Sequence, residues 1–167
     1  IRLGAISGRK PDVPERPGFD AYHLWIVTRG LTDSPSTITC ESLEKLFEFY
    51  WQNLPATASD TNTYAADIRY ETTMAWMPVL DAARENAAVI SCMRAEAIKR
   101  LTAHDPSPEV RYRIVRFFRF VCKHGDEEAK RLLKEARMGE AEATVIVAID
   151  EVLSQLNQGA AVESTQR

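Results

Sequence analysis

HDPSPEVRYRIVRFFRFVCKHGDEEAKRLL, His104 to Leu133, decides how the rest of this chain is read. Ser107 can accept an amide hydrogen as a helix N-cap. Pro108 suits the first helical position, where an amide has no intrahelical partner anyway, and Glu109 favours the positive end of the helix dipole. Val110, Ile114, Phe117, Phe118 and Val121 then recur as one apolar stripe at helical spacing. Gly125 is placed to end the helix in the left-handed conformation, and Asp126 starts another. A marked start, one buried face and a marked stop make this a helix whose ends and orientation can be read directly.

The same periodicity extends in both directions. Leu132 and Leu133 anchor a short helix, MGEAE over 138–142 turns the chain, and a last helix buries Val145, Ile149, Val152, Leu153 and Leu156. Residues 158–167 read as a flexible tail. Upstream, Val79, Ala83, Ala87, Ile90, Ala97, Ile98 and Leu101 predict one long helix over 79–102, with Pro78 breaking the chain before it. Leu43, Leu46, Phe47, Tyr50, Trp51 and Leu54 predict an amphipathic helix stopped by Pro55. Tyr64, Ile68, Thr72, Ala75 and Trp76 predict another after the polar linker TASDTNT. Prolines 11, 14 and 17 keep residues 1–20 extended, as an arm or linker. The expectation is an all-α chain with a single helical domain over 21–157. Its antiparallel helix pairs either stack as a short solenoid or close into an irregular bundle.

AIKRLTAHDPSPEVRYRIVRFF, residues 97–118, resembles a HEAT/armadillo-type repeat, in which an Asp- and Pro-bearing turn leads into Val-Arg at the start of the second helix. The resemblance covers residues 85–157 and implies that Asp105 and Arg111 belong to a charge ladder between neighbouring repeats. A helical wheel places Arg111 beside the apolar stripe, where a charge needs a partner. Laying the last helix on the one that begins at Pro108 aligns Val145 with Val110, Ile149 with Ile114 and Leu156 with Val121, thirty-five residues apart. Glu140 then stands at the Asp position and Ile146 at the Arg position, so the ladder is expected to stop there, as at an end cap. Such stacks serve as scaffolds for many partners, and the resemblance names none.

A chain of 167 residues, 45% hydrophobic and 27% charged, is long enough to bury one core. No apolar run approaches the roughly 18 residues of a membrane span, and no signal-peptide pattern opens the chain. An intracellular protein, cytoplasmic or nuclear and away from membranes, is expected. A start at Ile1 rather than Met leads us to expect part of a larger protein or assembly. His23, His104 and His124 are scattered, with no HExxH, no CxxC and no nucleophile elbow, and GAISGRK lacks the spacing of a phosphate loop. No catalytic residue, cofactor or metal is expected, and the protein is read as non-enzymatic.

Charge is segregated. Residues 94–137 carry twelve basic against seven acidic side chains, whereas 138–167 carry one against five. Arg113, Arg116, Arg119 and Lys123 share the arc opposite the apolar stripe, with Tyr112 and Phe120 among them. Three readings follow. The arc is a face for a protein partner, an acidic one included, with Phe120 as an anchor. Alternatively it meets a phosphate backbone, as in a nucleic-acid-associated or coat-type assembly subunit. The plainest reading is a solvated face, which a pI near 5.7 favours over a dedicated nucleic-acid binder. The interaction module leads among the functional readings.

Overall fold

The computed structural model describes residues 28–52 and 63–163, so the expected arm over 1–20, His23 and the TASDTNT linker lie outside the described residues. What is described is all-α, with no strand. After a helical turn at 28–33 and a 3-10 turn at Pro35–Thr37, we number the helices α1 (Cys40–Gln52), α2 (Thr63–Ala82), α3 (Ala87–Ala103), α4 (Pro108–Val121), α5 (Glu127–Gly139) and α6 (Ala143–Glu163). These fall into two compact units that divide between Val89 and Ile90, where the sequence leads one to expect a single domain.

In the first unit α1 begins with a reciprocal cap. The Ser42 amide donates to Thr39 Oγ1 at 3.1 Å and the Thr39 amide donates to Ser42 Oγ at 3.0 Å, which satisfies two amides a bare helix start would leave open. Leu43, Phe47 and Trp51 lie one turn apart and are buried. Trp76 of α2 meets two of them, Phe47 edge-on at 5.8 Å between ring centroids and Trp51 stacked at 6.3 Å. Such offset and edge-on geometries suit the ring quadrupoles.

Pro78 does not break the chain. It sits inside α2, flanked by buried Ala75, Trp76, Val79 and Leu80, and this packing outweighs the hydrogen bond a proline removes. The break comes at residues 83–86, where Asn86 Oδ1 accepts from the amides of Ala88 and Val89 and so caps α3. The long helix expected over 79–102 is therefore the end of α2 and a separate α3.

In the second unit Ser107 caps α4 with Pro108 at its first turn, and Val110, Ile114, Val115, Phe117, Phe118 and Val121 are buried. α6 packs along α4 and α5, burying Val145, Ala148, Ile149, Val152 and Leu156. Three contacts fix the direction. Arg111 meets Glu140, Arg116 meets Glu151, and the Gly125 amide donates to the Leu156 carbonyl at 3.0 Å. The partners ascend together, so α4 and α6 run parallel with α5 as the return.

Two turns differ from expectation. Gly125 does adopt a left-handed φ of +76°, but α4 has already ended at an extended Cys122, and Gly125 instead turns the chain towards α6. The left-handed residue that follows a helix directly is His104, φ +49°, after α3. Of the tail expected over 158–167, residues 158–163 continue α6, because Gly159 is outweighed by its alanine-rich surroundings. Residues 164–167 lie outside the described part.

Candidate functional site

α4 carries Arg111, Tyr112, Arg113, Arg116, Arg119 and Phe120, whereas Asp105 precedes it and Lys123, expected on the same helical arc, lies beyond the extended Cys122 that ends the helix. The neighbours of each determine what it does. Arg111 is largely buried, its side chain 15% exposed, and Glu140 is more so, at 3%. The guanidinium donates through Nε and Nη2 to both Glu140 oxygens, at 2.7 and 2.8 Å, and through Nη1 to the main-chain carbonyls of Asp105 and Pro106, at 2.7 and 3.0 Å. Arg111 thus touches Asp105 through its carbonyl, and the carboxylate it binds comes from the following turn. Asp105 itself is buried, and its Oδ1 accepts the Ser107 amide at 2.9 Å. Glu140 also accepts the amides of Ala141 and Glu142 ahead of α6. The Arg111 guanidinium, first among the causes, holds the Glu140 carboxyl below the usual carboxylate range.

The same device appears between α3 and α5. Arg94 grips Asp126 in a bidentate pair at 2.8 Å and reaches Glu128 at 2.8 Å, while Asp126 caps α5 by accepting the Ala129 amide. Asp126 is held below its usual range by this bond, and Arg94 is raised by it. Cys122, a free thiol beside them, is pushed up to about 12, mainly by burial. An ionised thiolate is therefore disfavoured at neutral pH.

Arg116 does not stand free for a partner. Its Nη1 donates to Glu151 of α6, and its guanidinium lies 6.0 Å from the Tyr112 ring centre. Arg137 likewise pairs with Asp150 at 2.6 Å, the two holding each other's charges in the ionised form. These pairs account for much of the charge segregation in the sequence. Arginines early in the second unit meet carboxylates that lie later, and α6 supplies two of them. Arg113 is half-buried. Arg119 and Lys123 engage no carboxylate among the described residues. Arg119 precedes Phe120 on α4 and Lys123 follows it in the turn beyond Cys122, and Phe120 is 52% exposed. On α6, among the residues whose side chains are described, the large apolar residue left to solvent is Val147, 57% exposed. The register set by Arg116 and Glu151 places it beside Tyr112.

Two hollows lie among the described residues. The hollow between Arg100, His104, Arg111, Glu140 and the α4–α6 core has a volume of about 10 Å³, room for one water at most. In the first unit an open depression of about 600 Å³ is lined by Pro35, Ala82, Ala83, Ala87 and Ala88 together with Ser36, Glu85 and Asn86, the last already used as a cap. No helix among the described residues is long and apolar enough to cross a membrane.

Sequence reasoning placed Glu140 at the Asp position without seeing that Arg111 pairs with it, and missed Glu151 altogether. For Glu151 the signal was present, since it follows Arg116 by the same thirty-five residues that align Val110 with Val145. No protein-family model, curated protein or solved structure matches this chain.

Proposed function

We propose that the protein is a non-enzymatic interaction module, built of stacked helix pairs in the manner of HEAT-like repeats, that receives a protein partner on the outer face of α4. The observation that carries this reading is the distribution of ion pairs. Arg116, in the middle of the face that a phosphate backbone would track, is held by Glu151 of its own unit. Binding along a nucleic-acid backbone draws its strength from many cations in a row. Arg119 and Lys123 flanking an exposed Phe120 make a short focal contact instead, of the kind in which an aromatic anchor carries much of the affinity.

The test is fluorescence anisotropy of a labelled single-stranded oligonucleotide and of labelled polyglutamate, titrated with the chain at low and moderate salt, beside an Arg119→Glu/Lys123→Glu variant. Polyglutamate binding that weakens with salt and disappears in the variant, with little oligonucleotide binding, supports a protein-binding face. Tight oligonucleotide binding that loses several orders of magnitude with salt points instead to the nucleic-acid-associated or assembly-subunit reading.

A further inference from the structure

The contact surface has a spacing as well as a charge. Tyr112 and Phe120 are eight residues apart on α4, so they sit about two turns, or about 12 Å, apart on one face. On the parallel α6, Val147 stands at the same level as Tyr112, one turn below Glu151 as Tyr112 is one turn below Arg116, and adds to the lower apolar spot. Between the two spots lies the Arg116–Glu151 pair, already neutralised, which asks nothing of a partner. Beside the upper spot stand Arg119 and Lys123. The pattern is two apolar contacts two turns apart, with cations concentrated around the second.

From this we infer that the occupant is an acidic amphipathic helix of a partner protein, lying along α4. Its apolar residues, seven or eight positions apart, meet Tyr112/Val147 and Phe120, and its carboxylates sit opposite Arg119 and Lys123. A helix matches because apolar residues at that separation fall on one face at nearly the same rise as the two spots. An extended strand covers the same distance in about four residues and alternates its side chains, so its apolar positions would have to be spaced quite differently. Carboxylates fit the cations as partners and steer the encounter, while the aromatic anchor sets how long the complex lasts. This inference rests on the protein-partner reading of the same face.

The experiment uses the full chain and three fluorescein-labelled probes. The first is a helix-forming, glutamate-rich peptide of roughly 18 residues with leucines seven positions apart. The second has the same composition but with the leucines moved to opposite helical faces, and the third is a single-stranded oligonucleotide. The first peptide is expected to bind roughly tenfold tighter than the second. It should gain helical circular dichroism on binding, and weaken by a similar factor on Phe120→Ala and again on Val147→Ser. Both positions are exposed, so both variants keep the unfolding midpoint of the parent. Equal affinity for the two peptides would overturn the helix inference and leave the protein-binding reading in place. Oligonucleotide binding without peptide binding would overturn that reading itself. Binding of the first peptide that survives both substitutions would place the site elsewhere and refute the inference.

Discussion

Replacing Arg111 with alanine strands Glu140, whose carboxylate is 3% exposed and loses both of its charged hydrogen bonds. Breaking a buried pair from one side costs roughly 3–5 kcal/mol, because the remaining charge keeps its desolvation penalty without its compensation. Here Glu140 still accepts the Ala141 and Glu142 amides. The lower end, about 3 kcal/mol, is therefore the expected loss. The assay is urea unfolding followed by far-ultraviolet circular dichroism, with Arg119→Ala as the control from the same helix. Arg119 binds no carboxylate among the described residues, so its removal should stay within about 0.5 kcal/mol. Adding Glu140→Gln to Arg111→Ala removes the stranded charge, and the double variant should lose less than the two single losses combined. If Arg111→Ala proves as mild as Arg119→Ala, the pair does not hold α4 to the turn before α6, and the reasoning is refuted.

Other expectations follow from the same contacts. Glu140 and Asp126 have folded pKa values below their unfolded ones, so the unfolded chain binds their protons more readily. Their contribution is complete above the ordinary carboxylate range and is lost as pH falls through the depressed folded values. Unfolding midpoints measured from neutral pH to about pH 3 should fall on the acid side, and less steeply in Glu140→Gln. Cys122, pushed up to about 12, should alkylate with iodoacetamide at neutral pH at least about a hundredfold more slowly than it does in the urea-unfolded chain, read by peptide mass mapping. Comparable rates would show that the thiol is not shielded. Gly125→Ala should cost about 1 kcal/mol in the urea midpoint. The added methyl meets nothing within 4 Å, so the whole loss is backbone strain at φ +76°, and an unchanged midpoint would mean the turn relaxes freely.

How far the fold could be read in advance differs from helix to helix, for physical reasons. The start and buried face of α4 were legible because Ser107, Pro108 and the stripe from Val110 to Val121 act locally, within one helix, whereas its end before the extended Cys122 was not. The junction between α2 and α3 was not, because Pro78 carries a strong local penalty that the tertiary packing around Trp76 and Val79 overrides. Gly125 was legible as a left-handed residue, yet its purpose depends on a carbonyl of α6 thirty-one residues away. The candidate surface divides the same way. A wheel finds Arg113, Arg116, Arg119 and Lys123 on one arc, but only the stacking of α6 on α4 separates Arg116, which is taken by Glu151, from Arg119 and Lys123. Arg111 was expected to need a partner, and the partner proved to be the residue in the Asp position of the following pair. The thirty-five-residue offset already placed Glu140 at that position, but Ile146 at the Arg position led to the expectation that the ladder stops there, which overlooked that Glu140 can still receive Arg111 from the preceding pair.

The account depends most on where a partner lands, and a two-dimensional ¹H–¹⁵N titration of the isotopically labelled chain with the acidic amphipathic peptide tests that directly. Shift changes centred on Arg119, Phe120 and Lys123, extending to Tyr112 and Val147 and leaving α1 and α2 unmoved, are the predicted result. Changes centred elsewhere, or none at peptide concentrations that saturate the anisotropy signal, would contradict it.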